Sequence, residues 1–480
     1  MGMVDSQPAF PQRPITHGQV VFTPAEVQRM LGVMVGAAVA DALGAPFEFG
    51  PAGQYSRRFP EPVLGGVGEM IGGGTFGWAP GEFTDDTQMA LALAVSLLDT
   101  GRYEPDTLWQ AWRQWAADAA DVGTTTRASL RFADWRAVRH PDPARTAANG
   151  ALMRAFPLAV AFIDSSDDEA RAVVLHQAGL THPHPAAGWG AWLAVAMMRA
   201  GIRGGDPFAA LARELNELPG DVAGAFRAVL TPGWTPDRSH PHNGTVWGCL
   251  AQAVWAVRST DSFEAAVIAA IDLGGDTDTV ACVAGAIAGA RYGVQAIPSR
   301  WATYVHGRVT LPGGERRFGL ADLQHLALAL AGREVRPEAP GERPAGPLEV
   351  APGLYAANLL GAAAAPADWS VVSLCRTGEM FGQHRVRRQV YLVDKPGEHN
   401  AALAAAVDDA VAAVEALLAD GHKVVVHCHG GRSRTGLVLK AWKMRSDGCS
   451  EPEAHAWLEA QWPLVQRLNP TFTDFLRSAR

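Results

Sequence analysis

Between Gly332 and Pro352 the chain carries five prolines (Pro337, Pro340, Pro344, Pro347 and Pro352), several glycines and charges of both signs, with no apolar period to support a helix or strand. One continuous core cannot run through such a stretch. Before it the sequence is Ala-rich with long 3.6-residue periods; after it, short β-branched runs at Trp369–Leu374 and Lys423–His427 alternate with helical patterns. The pattern predicts two domains, a large helical one at residues 20–330 and a small α/β one at 351–480, with a Pro-rich linker at 332–350. A length of 480 residues accommodates one large core plus a smaller one.

Composition removes several classes. With 48% apolar and 19% charged residues the chain has ample material for a core. A net charge of −8 argues against binding nucleic acid by bulk electrostatics, so nucleic acid enters only as a candidate substrate of a local basic pocket. The opening residues, Met1 to Pro14, lack a basic segment followed by an apolar one, and the most apolar run, Leu31–Ala40, is short for a bilayer. No membrane anchoring and a cytoplasmic location are therefore expected. The five cysteines are scattered without a CxxC pair, which suggests neither a disulfide framework nor a zinc ribbon.

Three helices of the first domain follow from local chemistry. Thr23 and Glu26 form a capping-box signature with Pro24 at the first helical position, and Val27, Met30, Leu31, Met34, Val35 and Ala38 make one apolar stripe ending near Gly44 and Pro46. Asp41 continues that stripe, and an inward carboxylate needs a partner or a metal. A second helix is predicted from Asp86 to about Thr100, stopped by Gly101, and a third from near Asp278 through Ala290.

Two of these helices open on the same residue types: Thr84-Asp85-Asp86-Thr87 and Asp276-Thr277-Asp278-Thr279. Helix capping alone is one reading, since Asp and Thr are favoured caps and carboxylates complement the positive end of the helix dipole. Each cluster, however, has more carboxylates than a cap uses. Like charges this close repel unless a cation neutralises them, and carboxylate plus hydroxyl oxygens are hard ligands for Mg²⁺ or Mn²⁺. An EF-hand is excluded, because Val280 and Ala281 stand where further ligands would be needed.

The segments Val35–Glu48, Gly81–Met89, Gly123–Arg127, Asn149–Arg154, Thr181-His182 and Gly274–Thr279 together resemble the ordered motifs of the ADP-ribosylglycohydrolase family, over about residues 25 to 310. The resemblance implies an orthogonal all-α fold with two divalent ions, Mg²⁺ or Mn²⁺, in a central cleft. It places Thr84, Asp85, Asp86, Asp276, Asp278 and Thr279 around the ions and makes Glu48 the candidate acid/base. Thr146, Asn149, Gly150 and His182 then contact ADP-ribose. Such a site would hold ribose hydroxyls while an oxocarbenium-like centre develops. A zinc site at His182-Pro183-His184 is a poor alternative without further ligands. The chain has Ala40 and Ala148 where the family usually has Gly, which implies altered backbone near Asp41 and Asn149.

In the second domain, Lys423–His427 reads as a buried strand and Thr435 onward as a helix, with Cys428-His429-Gly430-Gly431-Arg432-Ser433-Arg434 between them. A Gly-rich turn feeding a helix N-terminus offers amides to a phosphate and favours a thiolate, and an arginine supplies a bidentate clamp. An inert buried cysteine is the plain alternative. The full pattern resembles the protein-tyrosine and dual-specificity phosphatase superfamily, over about residues 350 to 480. That resemblance implies Cys428 as nucleophile, Arg434 as phosphate clamp, Thr435 as the hydroxyl assisting release, His427 as a support of the loop, and no cofactor in this domain. Gly430, Gly431 and Arg432 would line the phosphate bowl. Asp394, 34 residues before Cys428, stands where the superfamily keeps its general acid; as an Asp before Pro and Gly it also reads as a turn residue.

The expected function is a bifunctional hydrolase acting on an ADP-ribosylated protein or small molecule and on a phosphorylated substrate of unassigned class. Two alternatives accompany it: a first domain that binds ADP-ribose without cleaving it, and a first domain that is structural, as in the lens crystallins of the same family, beside an active cysteine phosphatase.

Overall fold

The computed structural model describes residues 21–237, 242–333, 343–378 and 380–478. The opening segment and residues 334–342 of the expected linker lie outside them. The first domain is built on α1 (Pro24–Gly44), which starts as its capping chemistry dictates: Thr23 Oγ1 accepts the Glu26 amide, and the Glu26 carboxylate accepts the Thr23 amide at 2.8 Å. This helix is longer than the ten-residue apolar run seen in sequence, and by length and composition it could cross a membrane. It is instead enclosed, with 94% of its apolar window buried inside the protein. Small side chains on every face make that possible.

Its main neighbour is α3 (Thr277–Tyr292), which lies antiparallel to it; α2 (Asp85–Thr100), capped by Thr84 and ended by left-handed Gly101, packs beside both. Along the α1–α3 seam the backbones touch. A Cβ on Gly285 would stand 2.3 Å from the Gly36 carbonyl oxygen, and one on Gly289 2.0 Å from that of Gly32. Ala40 is accommodated because the residue opposite is Gly285. This close approach sets the C-terminal end of α1, with Asp41, against the N-terminal end of α3, with Asp278. Gly285→Val should therefore cost about 3 kcal/mol or more, since neither backbone can yield. Equilibrium denaturation tests it, and a loss under about 0.5 kcal/mol would refute the seam as the determinant of helix approach.

The domain is helical as expected, with one correction to an all-α reading. Strands β1 (His306–Leu311) and β2 (Gly314–Gly319) form an antiparallel hairpin, β1 burying Gly307, Val309 and Leu311 and turning the alternate residues outward. The two-residue period was hidden by a glycine at one of its inward positions. Helix α4 (Leu320–Leu330) follows.

The second domain is a five-stranded sheet in the order β3-β4-β7-β5-β6, comprising β3 (Leu348–Ala351), β4 (Leu354–Asn358), β5 (Ser370–Ser373), β6 (Arg387–Gln389) and β7 (Val424–Cys428). All pairings are parallel except the β3 edge. Central β7 is buried at every residue, which explains its unbroken β-branched run. Helices α5 (Leu403–Ala419) and α6 (Ser433–Asp447) flank the sheet.

The domains meet along a polar seam. Buried Arg388 donates to the carbonyls of Leu64 and Gly66, and the Ser299 amide donates to Asp409. Gln295, just after α3, donates to the Tyr391 carbonyl and Asn400 Oδ1 and accepts the Ala402 amide. Gln28 of α1 donates to the His399 carbonyl and accepts the Ala401 amide. The loop 391–402 is thus fastened to the first domain at two glutamines.

Two candidate active sites

The first site forms where α1, α2 and α3 converge. Asp41 joins two of them: its carboxylate accepts the Thr84 amide (3.0 Å), the Thr87 amide (3.1 Å) and the Thr87 hydroxyl (2.5 Å). Burial still raises its pKa to about 6 against those hydrogen bonds. Glu48 arrives by a backbone bridge in which the Phe49 amide donates to the Gly275 carbonyl and the Gly275 amide to the Gly50 carbonyl. Gly274 has φ +75°, and a Cβ there would lie 2.7 Å from the Ala52 amide, so only glycine allows the bridge. As a result one carboxylate oxygen from each of Glu48, Asp276 and Asp278 falls within 4.8 Å of the others.

Around this trio, Asp86 Oδ2 accepts hydroxyls from Thr84 and Thr279, each at 3.3 Å, linking α2 to α3. Asp276 is aimed by two asparagines: Asn149 Nδ2 donates to its carboxylate (2.7 Å), and Asn243 Oδ1 accepts its amide while Asn243 Nδ2 donates to the Gly274 carbonyl. Asp85 is buried beside them, and Asp121 lies near enough to raise the pKa values of both Glu48 and Asp85.

Two buried oxygens, Glu48 Oε2 and Asp86 Oδ1, have no hydrogen-bond partner. Burial pushes Asp85, Asp86 and Asp278 well above the usual carboxylate range, with their acidic neighbours adding to it. Burial, then Asp276, Asp121 and Asp41, carry Glu48 to about 8. Repelling carboxylates, threonine hydroxyls and unpartnered inward oxygens are the donor set that hard divalent cations take.

Gly150 and His182 sit together: a Cβ on Gly150 would be 3.0 Å from the imidazole. His182 is buried and hydrogen-bonded to the Thr181 hydroxyl, and burial drives its pKa well below normal, so the ring is neutral. His184 instead accepts the Ala186 amide at the start of its helix and meets Trp247 edge-on, so the two histidines serve separate partners. Thr146 adjoins His184. Its buried hydroxyl donates to the Pro143 carbonyl and accepts the His184 amide.

The second site stands at the C-terminal end of β7. Cys428 is buried at 1% exposure, and the chain turns through Gly430 and Gly431 into α6. Gly431 has φ +66°, and a Cβ there would lie 3.0 Å from both the Ala357 carbonyl oxygen and the Trp462 ring. Trp462 Nε1 donates to the Gly431 carbonyl (2.7 Å), and His427 Nε2 pairs with the Ser373 hydroxyl (2.7 Å), tying β7 to β5. Burial holds His427 neutral, with a pKa near 3.

Arg434, itself buried, donates to the carbonyls of Leu374 (3.2 Å) and Leu392 (3.3 Å), and its Nε stands 3.8 Å from Asp394. Asp394 also accepts from Asn469. The structure therefore brings Cys428, Arg434 and Asp394 to one end of the sheet. Thr435 is fully buried with its hydroxyl unpartnered, whereas Arg432 is exposed.

Asn243, Asp121, Trp462, Ser373 and Asn469 complete these sites, and sequence reasoning missed them. Each is an isolated polar or aromatic residue far along the chain from the group it serves.

Comparisons with known proteins divide the chain the same way. The family profile described as ADP-ribosylglycohydrolase matches residues 23–338, and that of the dual specificity phosphatase catalytic domain matches residues 371–479. The ADP-ribosyl-[dinitrogen reductase] glycohydrolase of Rhodospirillum rubrum is 32% identical over 60% of this chain and 93% of its own. The ADP-ribosylarginine hydrolase Tri1 of Pseudomonas putida is 30% identical over 62% and 80%. A solved structure described as an ADP-ribosylglycohydrolase-related protein complex superposes with a TM-score of 0.53 at 34% identity, covering 64% of this chain and 99% of that one.

Proposed function

This chain belongs to the ADP-ribosylglycohydrolase family through residues 23–338 and carries a dual-specificity phosphatase domain at 371–479, and from that premise we propose a bifunctional hydrolase whose first domain cleaves an ADP-ribosyl glycosidic bond with divalent metal and whose second hydrolyses a phosphomonoester through Cys428. The observation that carries the first activity is the convergence of Glu48, Asp276 and Asp278, with the unpartnered buried oxygens of Glu48 and Asp86. Thr84, Asp85, Asp86, Asp276, Asp278 and Thr279 would hold two ions, Mg²⁺ or Mn²⁺. Bound there, they would offset the carboxylate repulsion and add positive charge beside the ribose hydroxyls.

The chain's own groups do the rest. Glu48 gives its proton to the departing acceptor atom and takes one from the water that attacks the anomeric carbon. Asn149 fixes the Asp276 carboxylate, while neutral His182 packs on Gly150 at the cleft wall. In the second domain the Cys428 thiolate displaces the alkoxide or aryloxide from phosphorus, Arg434 holds the equatorial oxygens, and Asp394 protonates the leaving oxygen. Water then cleaves the phosphocysteine.

The first test is release of ADP-ribose from arginine-, serine- and O-acetyl-linked substrates and from ADP-ribosylated nucleic acid. The arginine linkage comes first because a relative's name specifies it. Release is expected with Mg²⁺ or Mn²⁺, and its loss in EDTA and in Asp276→Ala. Release indifferent to chelator overturns the metal assignment. Tight ADP-ribose binding without release from any substrate makes the domain a binding module.

A further inference from the structure

Between the two domains lies a cleft of about 690 Å³. One wall comes from the first domain, including Gln28 of α1 and Arg333 just after α4; the other comes from the phosphatase domain, including Arg376, Lys395 and His399. At its phosphatase end the cleft reaches Arg434, the residue assigned to clamp the phosphate. Among the described residues that line it there are four Lys or Arg and no Asp or Glu. Asp394, between the lining residues Val393 and Lys395 and 3.8 Å from Arg434, adjoins the cleft, so four cations face that one neighbouring acid, a balance that suits an anion in a chain with 49 carboxylates and a net charge of −8.

The charges come from both domains and from separate segments of the chain. Arg434 is buried at the end of the sheet, Arg376 follows β5, Lys395 adjoins Asp394, and Arg333 stands on the opposite domain. One phosphate engages Arg434, leaving the other cations for a second anionic group on the same molecule. The wall containing Lys395 and His399 is the loop 391–402 that Gln28 and Gln295 fasten to the first domain. The helical domain thereby fixes the shape of the phosphatase's approach. A cleft of this volume suits a small organic ligand better than a protein surface.

We propose that this cleft, which adjoins the Cys428 loop at Arg434 without including Cys428 itself, holds the part of the phosphatase's substrate beyond the reacting phosphate, is completed by the helical domain, and selects a small phosphomonoester carrying a second phosphate, such as a nucleoside bisphosphate. The proposal rests on the phosphatase reading above. Its geometry adds Arg333 and Arg376 as specificity-determining residues, neither of which belongs to the cysteine loop.

The experiment uses the full chain with Cys428→Ser, which binds without turnover, and titrates it with adenosine 3′,5′-bisphosphate, AMP and a phosphotyrosine peptide by calorimetry. The bisphosphate should bind at least tenfold tighter than AMP and the peptide, and Arg333→Glu or Arg376→Glu should each remove most of that preference. Equal affinity for AMP and bisphosphate, a preference for the peptide, or a preference untouched by both charge reversals overturns the proposal. Hydrolysis of p-nitrophenyl phosphate by the native chain is the separate check of the phosphatase reading, so failure of one is not mistaken for failure of the other.

Discussion

Glu48→Gln should lower ADP-ribose release by about three orders of magnitude in kcat, within the range set by loss of a general acid/base. The substitution keeps the side chain's shape and its place on the loop that Phe49 and Gly275 bridge. It removes the group that gives a proton to the leaving atom and accepts one from water. Because Glu48 also faces Asp276 and Asp278, a second effect on ion affinity is expected, so the rate is measured at saturating Mn²⁺ or Mg²⁺. Under those conditions kcat falls while KM stays within about threefold, the pattern of a group that acts in the transition state. Hydrolysis of p-nitrophenyl phosphate by the same variant should be unchanged. Retention of a tenth or more of native release at saturating metal would move the acid/base role elsewhere, with Asp121 an unassigned carboxylate in electrostatic reach.

The parts of this architecture legible in sequence are those that local chemistry decides. The capping box of Thr23 and Glu26, the Thr84-Asp85-Asp86 start, the stop at Gly101 and the β-branched run of β7 each act within a few residues, and the observed elements begin and end within one residue of where those rules place them. The acidic clusters were legible because they sit at helix starts with surplus carboxylates. The close contact that joins them was not: Gly36 and Gly285 lie 249 residues apart, and nothing near either says that its missing side chain faces the other. Asn243 was invisible for the same reason, since it orients Asp276 and Gly274 across more than 30 residues. Thr146 illustrates another limit: its motif position implies ligand contact, but the sequence does not show that its hydroxyl also ties Pro143 to His184. A Pro-rich composition that forbids a core says nothing of how the flanking domains pack. Their seam depends on single side chains such as Gln28, Gln295 and Arg388.

Cys428→Ser should abolish phosphomonoester hydrolysis, lowering kcat about 10⁴-fold or more, because a serine at this position has no base to activate it and attacks as a neutral hydroxyl. The change is nearly isosteric in a fully enclosed position, so the fold and the Trp462 brace on Gly431 should persist. Arg434→Lys separates clamp from charge: it keeps one positive charge but loses the planar guanidinium, whose Nη1 alone donates to both the Leu374 and Leu392 carbonyls and whose other nitrogens remain for the phosphate oxygens. That variant should lose about a hundredfold or more in kcat/KM although the domain stays cationic. Asp394→Asn should slow an alkyl phosphate more than p-nitrophenyl phosphate, since only the poorer leaving group needs a proton. In all three variants ADP-ribose release should remain at the native level. The phosphatase domain touches α1 at Gln28, which binds the 391–402 loop, and the stretch of α1 from Gln28 to Asp41 spans about 20 Å at the α-helical rise. A Cys428→Ser protein that lost both activities would show that the α1–α3 pair transmits a change in the phosphatase loop to the carboxylate cluster. Selective loss establishes two independent catalysts that share one helical frame.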